Sequence, residues 1–546
     1  MKKIIIILLI FCYLTASAQV ENVPVSHPVY NYLLRAETKG FLPNFSLSEL
    51  PLQRKEIVKA LILVRKNEIN LSKADLEILK RYEIEFEIEH RNNAVIFFSE
   101  SDTNQLLFKR ILTNDEKFFY HFKDSSHSVS VIPLGSVEEI FSSSQSLNDG
   151  ELRNVTLGNL GIRLYGTLGN VLGYYLQATN GAVLTGDRDL ALENPKLRQN
   201  IKFKELNSDF DFSESHVTYN NDWFYATIGR ETRLVGAGIS HRVFHSDNAP
   251  PIDAVTVGVK LDKFHYSFTH GSLLAYYQDS TKIGFNAIMP SKFLATHRFA
   301  IRPYWGEISL WENIIYTKRG FDIAYLNPLS FMKSLEHALR DRDNSMMGLD
   351  ATVRPFDGFQ IKGSFLLDDI IFSEIGKNFW SNKYAWNIAM ITSLKIPFDI
   401  GLEYARVEPY TYTHFDSLNA MTNDNYLFGG SLQPNSDETS ILIRYWWGNR
   451  YPISFKLSYM RHGENIYDGN GNLVRNVGGD VLQTRRVEDS MRVTFLDGNR
   501  INSLSAKLYA GWEIIRGFNL QAVLELRQIN EKNHFNFFIG FRYEDF

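Results

Sequence analysis

The chain has 546 residues, with 62 acidic and 58 basic side chains, 44% hydrophobic and 14% aromatic residues, 35 glycines and one cysteine. A formal charge of -4 gives no electrostatic ground for a nucleic-acid partner, and one cysteine excludes a disulfide framework, a Cys-based zinc site and an iron–sulfur cluster. The aromatic share is too high for a disordered chain and the Gly and Pro share too low for a fibrous one, which leaves a globular protein or a membrane barrel.

Residues 1–18 read as an export signal. Lys2 and Lys3 give a positive start, Ile4 to Leu14 an apolar run too short to span a bilayer as a helix, and Ala16-Ser17-Ala18 a small-residue cleavage site. The only cysteine, Cys12, lies inside that run. The expected mature chain begins near Gln19, has no cysteine, and carries -6 once the two lysines are removed from -4. No run of 18 or more apolar residues follows, so no transmembrane helix is expected.

Residues 19–115 are expected to form a small periplasmic helical domain. Val29, Leu33, Leu34 and Phe41 have helical spacing, stopped by Gly40 and Pro43. A second helix is predicted over about Leu52 to Lys66. A third starts at Ser72, a good N-cap, with Asp75 at the capping-box position where Glu or Gln is usual. Nothing in this region carries a catalytic pattern.

Across residues 116–546 the period becomes two, in segments of about ten residues, the length that crosses an outer membrane when tilted. Leu160, Ile162 and Leu164 alternate with Gly161, Arg163 and Tyr165; Phe518, Leu520, Ala522 and Leu524 alternate with Asn519, Gln521 and Glu525. About eighteen antiparallel strands emerge. Links after even strands are tight, as at Gly169-Asn170, Asp262-Lys263, Asn449-Arg450 and Arg516-Gly517. Links after odd strands are expected to run from about 15 to about 40 residues, the last excepted. Short turns at one rim and long loops at the other indicate an all-β transmembrane barrel, with the helical bundle at the short-turn, periplasmic rim. The aromatic alternation Phe535, Phe537, Ile539, Phe541, Tyr543 and the terminal Phe546 support a closing strand for the barrel-assembly machinery, though Phe546 is out of phase. Glu312 falls on the lipid-facing phase of Ile308, Leu310 and Ile314, and a bulge or an intrabarrel salt bridge would accommodate it.

No motif for hydrolysis, phosphate binding or dinucleotide binding is present. His241 and His245 read as scattered loop histidines, and Glu336, His337, Asp341 and Asp343 as charged helix residues, with no cofactor and no metal expected. The densest constellation is Arg319 to Asn344, where Phe331, Leu335 and Leu339 mark a helical face. A loop of this length is expected to fold into or over the barrel mouth as a plug. Its Arg319, Glu336, Arg340, Asp341, Arg342 and Asp343 would then face lumen arginines Arg163, Arg230, Arg302 and Arg354, and could also serve an acidic polysaccharide. Trp446 and Trp447 read as headgroup-level girdle residues. Trp380, Tyr410, Tyr412, Phe415 and Tyr467 are candidate loop aromatics for stacking on sugar rings.

Six segments in order, GIRLYGTLGNVLGYYLQATNG, DWFYATIGRETRLVGAG, HRFAIRP, RGFDIAYLNPLSF, EHALRDRDNSMMGLD and LQPNSDE, resemble the capsule assembly Wzi family of outer-membrane proteins. HPVYNYLLRAETKGFLPNFSLSELPLQRKEIVKAL resembles the helical segment before the barrel in that family. The resemblance, with a Bacteroidetes-type relative, implies an eighteen-stranded outer-membrane barrel blocked by loops and by a periplasmic bundle. It implies a non-catalytic surface lectin that holds capsular polysaccharide and assists capsule assembly, embedded among outer-membrane lipids. The alternative is a porin-like channel or transporter of the outer membrane.

Overall fold

The computed structural model describes residues 19–87, 94–96, 111–145, 150–206, 209–275 and 289–544. The expected export signal and Phe546 lie outside them, as does part of 19–115.

Three helices form where the apolar spacing places them: α1 (Val29–Thr38), α2 (Arg54–Lys66) and α3 (Lys73–Glu85). At the start of α3 the Ser72 side chain accepts from the Asp75 amide, and the Asp75 carboxylate accepts from the Ser72 amide, closing a capping box. Leu33, Ile57, Leu61, Val64 and Leu79 meet in a fully buried core, because each helix turns one apolar stripe inward.

Eighteen antiparallel strands then close into a barrel. They are β1 (Ser128–Ser144), β2 (Leu152–Leu168), β3 (Leu172–Gly186), β4 (Phe210–Asn220), β5 (Phe224–Glu231) and β6 (Ile252–Leu261). Next come β7 (Phe264–Leu273), β8 (Lys292–Ile301), β9 (Gly306–Thr317), β10 (Asn344–Phe356), β11 (Phe359–Asp369) and β12 (Lys383–Ser393). The last six are β13 (Phe398–Val407), β14 (Ser436–Trp447), β15 (Tyr451–Glu464), β16 (Asn499–Ile515), β17 (Phe518–Ile529) and β18 (Lys532–Tyr543). Closure is made by β18 on β1, from His534 opposite Ser144 to Tyr543 opposite Gly135. A short strand, Tyr120–Lys123, extends the β1 edge below that seam.

The even-numbered strands lead into tight turns, as expected, and the long links follow odd strands. The link over 145–151 is shorter than the predicted range, and the last link, 530–531, is a two-residue turn as expected. Along each strand the exposed apolar residues keep one phase: Leu160 and Ile162, Ile308 and Leu310, Leu504 and Leu508 face outward. The opposite phase is buried and polar, with Thr218, Thr256, Asn313, Lys362 and Asn387 inside. At the short-turn rim Trp447, Tyr451 and Trp512 stand in a row, 5.8 and 6.4 Å between ring centres, as a headgroup girdle does. Trp446 does not join them. It turns inward against Tyr32 of α1 and donates to Asp399 at 2.6 Å.

The bundle plugs this rim. Arg35 of α1, fully buried, donates to Asp75 of α3 at 2.7 Å, to Asp399 of β13 at 2.5 Å and to the carbonyls of Leu394, Ile396 and Phe398. Lys39 adds a second cation on Asp75 at 2.8 Å. Deeper in, Glu37 pairs with Lys362 of β11 at 3.2 Å, and at the rim Arg516, in the β16–β17 turn, reaches Glu85 and Glu116. Buried charges persist only when paired this completely.

Candidate binding site in the barrel lumen

The lumen is filled unevenly. On the β6–β15 side two loops fold inward onto the wall, over residues 232–251 and 408–435. Phe244 stacks on the inward-facing Trp311 at 3.9 Å and 9°, and Val243, Met421, Leu427 and Phe428 complete an apolar core inside the barrel. Polar wall groups hold the first loop by its backbone: Glu403 accepts from the Ile239 and Ser240 amides at 2.9 and 2.7 Å, and Ser364 from Ala237 at 2.8 Å. Asn387 donates back to the Ala237 carbonyl at 2.8 Å. His241 bonds Ser431 at 2.8 Å and faces Glu438 at 3.2 Å. His245 packs between Phe244 and Phe428, and burial, with Arg233 nearby, pushes its imidazole down to about 3. Both histidines are loop residues, as expected, and the loop that carries them packs inside the barrel.

On the opposite side, along β1–β4 and β18, a half-enclosed cavity of about 1040 Å³ remains. Its wall is the inward phase of the strands: Ser136 and Glu138, Asn159, Tyr175, Gln177 and Thr179, Phe210 and Glu214. Arg542 of β18 pairs with Glu138 at 2.7 Å, and Tyr175 lies flat against His216 at 5.2 Å and 6°. Loop residues Asn194, Lys196, Asn200 and Lys202, together with Asp247, border it from the long-loop side.

The floor is the segment from Gln19 to Ser26. The Val20 amide donates to Thr167 at 3.1 Å and the Asn22 amide to His216 at 2.9 Å; Asn22 also donates to Glu231 at 2.9 Å. The segment lies so close to β3 that a Cβ at Gly173 would meet the Glu21 nitrogen at 2.3 Å. Only glycine permits that approach. Below the floor Arg54 stacks on Phe86 and Tyr165, at 4.4 and 5.1 Å.

The sequence candidates separate into groups. The segment from Arg319 to Asn344 does not enter the lumen. It folds down the outer wall, because its apolar positions match outward-facing Phe268, Ala295, Ile314 and Tyr316, with which Tyr325 and Met332 form a cluster. Within it Arg319 pairs with Asp343 at 2.6 Å and Asp322 at 3.2 Å. Glu336 is buried and bonded to Lys333 and Ser345, while Arg340, Asp341 and Arg342 are exposed. The ligand atoms of Glu336, His337 and Asp341 fall within 4.8 Å of one another because the chain turns back after the Met332–Ala338 helix through two left-handed residues, Arg340 and Asp341. Lys333 and Ser345 both donate to Oε2 of Glu336.

Arg230 shares the outward phase of Ile228, pairs with Asp253 at 3.0 Å at the rim, and borders the cavity there. Arg302 lies inside, locked on Glu307 at 2.5 Å, and Arg163 bonds Gln177 at 2.9 Å beneath the cavity. Arg354 donates to the Glu37 carbonyl of the bundle at 3.1 Å. Tyr410 and Tyr412 are fully buried, their hydroxyls donated to the carbonyls of Asn476 and Val243, so neither offers a ring face. Trp380 is partly covered by Tyr410 and by Arg485. Tyr467 and Phe415 stay exposed at the long-loop end. Glu138, Tyr175, Gln177 and Glu403 were missed by motif reading; their signal was only an inward phase carrying polar or aromatic groups.

No protein-family model matches the chain, and no curated protein sequence does. The fold is similar to Wzi, an outer membrane protein involved in group 1 capsule assembly in Escherichia coli and a carbohydrate-binding β-barrel. The TM-score is 0.55 at 12% identity, covering 96% of this chain and all of that one. The outer membrane protein OprD from Pseudomonas aeruginosa aligns at a TM-score of 0.41 and 12% identity over 76% of this chain and 92% of its own. OccAB2 of Acinetobacter baumannii aligns at 0.43 and 10%, over 76% and 97%. The likeness to Wzi extends across the helical region as well as the barrel and is one of fold.

Proposed function

We propose that this chain is a non-catalytic outer-membrane barrel that binds surface polysaccharide, capsular polysaccharide first, and helps to hold or assemble it at the cell surface. The observation that carries the reading is the lumen cavity of about 1040 Å³ with a closed periplasmic floor. Its amides, hydroxyls and paired carboxylates suit sugar hydroxyls, while the largely buried Tyr175 and Phe210 add an apolar margin to its lining. A repeating polymer multiplies such weak contacts through effective concentration, and the exposed Tyr467 and Phe415 would add further ones. The fold similarity to a carbohydrate-binding barrel supports the same reading.

The test is retention. Cells lacking the gene should shed polysaccharide into the medium that the parent keeps on its surface, and purified protein should bind that polysaccharide in a pull-down. Equal retention together with no binding removes the proposal. The second reading, a channel or transporter, draws on the same cavity and requires its floor to open; steady conductance of the intact protein in planar bilayers would favour it.

A further inference from the structure

The long link between β9 and β10 is a lobe laid on the outside of the barrel, and it exchanges one kind of surface for another. Beneath it the outward phase of the wall is unusually polar. His270 and His297 are buried there, and Glu312 stands directly opposite His297 in an unbroken register. Bare, these groups would face hydrocarbon, which penalises charged and polar side chains on the lipid face. The lobe covers them: the Met332 amide donates to Glu312 at 3.2 Å, and the Pro328 carbonyl takes Tyr266 and lies 3.0 Å from His297.

The other side of the lobe is the reverse. Phe321, Ile323, Leu326, Leu329 and Phe331 are all exposed, Ile323 by 82% and Leu329 by 81%. Phe321 packs on the wall residue Phe293 at 4.9 Å, joining the lobe's apolar face to the outward phase of β8. The lobe reaches Glu312, five residues below the long-loop end of β9 at Thr317. At about 3.3 Å per residue and a tilt near 40°, that is roughly 12 Å of depth, about half of the ~25 Å apolar band of such barrels.

We infer that this lobe is a lipid-embedded element: its exposed apolar face sits in the acyl chains of the outer leaflet, and it replaces a stretch of barrel wall too polar to contact them. The occupant is hydrocarbon, since the cations around the lobe are largely balanced by Asp322, Glu336 and Asp343 and give no net charge for a headgroup to follow.

The one cysteine of the sequence, Cys12, lies in the expected export signal, so single-cysteine variants report cleanly. The variants I323C and L329C, labelled with bimane in the mature protein in nanodiscs, are compared with L310C on the lipid-facing wall and N470C in a long-loop turn. Quenching by doxyl-labelled phospholipid comparable to L310C, with little quenching by aqueous iodide, is expected. Iodide quenching comparable to N470C would overturn the inference. Protection from both quenchers would overturn it as well, since a second copy or another protein would then cover the face. Heat-modifiable migration of each variant on gels confirms the folded barrel, and L326C serves in place of a variant that does not fold.

Discussion

Asp75 shows how much one side chain carries. It caps α3, and its buried carboxylate also collects Arg35 and Lys39 at the junction between bundle and barrel. Burial alone pushes this carboxyl up, but Arg35 and then Lys39 outweigh it and hold it at about 2. An unfolded aspartate titrates near 3.9, so the folded value is depressed. The stabilisation, roughly 2–3 kcal/mol, is then fully present above about pH 4 and is lost as pH falls through about 2. Bundle docking should be flat from pH 5 to 8 and should weaken only in strong acid, which limited proteolysis of the α1–α3 region against pH would read. Asp75→Ala should cost about 3 kcal/mol, the low end for breaking a buried pair, because Asp399 still faces Arg35. A shift in urea midpoint measures it. From the sequence Asp75 was legible as a capping residue in an unusual form. Its ion pairs were not, since Arg35 and Lys39 lie 40 and 36 residues away on another stretch of the bundle and no local pattern links them to it.

Among elements, the strands were legible and the loops were not. Period-two alternation specifies a strand and its lipid face, because a one-residue slip would turn every side chain over. A loop has no such constraint: the Arg319–Asn344 segment reads equally well as amphipathic against an inner or an outer wall. What decided it was the outward phase of Phe268, His297 and Glu312, polar and aromatic positions that needed a cover. The arginines expected to hold a plug therefore stand outside the pore, and changing Arg340 and Arg342 together to Ala should leave bilayer conductance unchanged. The true floor is the Gln19–Ser26 segment, seated on Gly173. Gly173→Leu places a side chain where the Val20 and Glu21 backbone runs, and should raise conductance several-fold while heat-modifiable migration persists. An unchanged current in Gly173→Leu would place the seal elsewhere.

At the scale of the molecule, closure of the barrel follows from the even strand count and the rim asymmetry, both visible in the sequence, while the division of the lumen does not. One side is filled by inward loops around Trp311 and Phe244, the other keeps a cavity with polar walls. That division depends on which polar wall residues meet loop backbone, as Glu403 and Ser364 do, and which border the cavity, as Gln177 and Thr179 do. It separates the two functional readings experimentally. A barrel built to conduct would lose little by having its floor opened and would be indifferent to polymer. If the cavity binds polysaccharide, the Gly173→Leu barrel should carry a current that polysaccharide from the producing cells blocks from the long-loop side alone. Tyr175→Ala in that background should weaken the block about tenfold, the loss expected when one apolar contact worth about 1.4 kcal/mol is removed. Block of equal strength from both sides, or block indifferent to Tyr175, would separate the current from the cavity and favour passage through a different path.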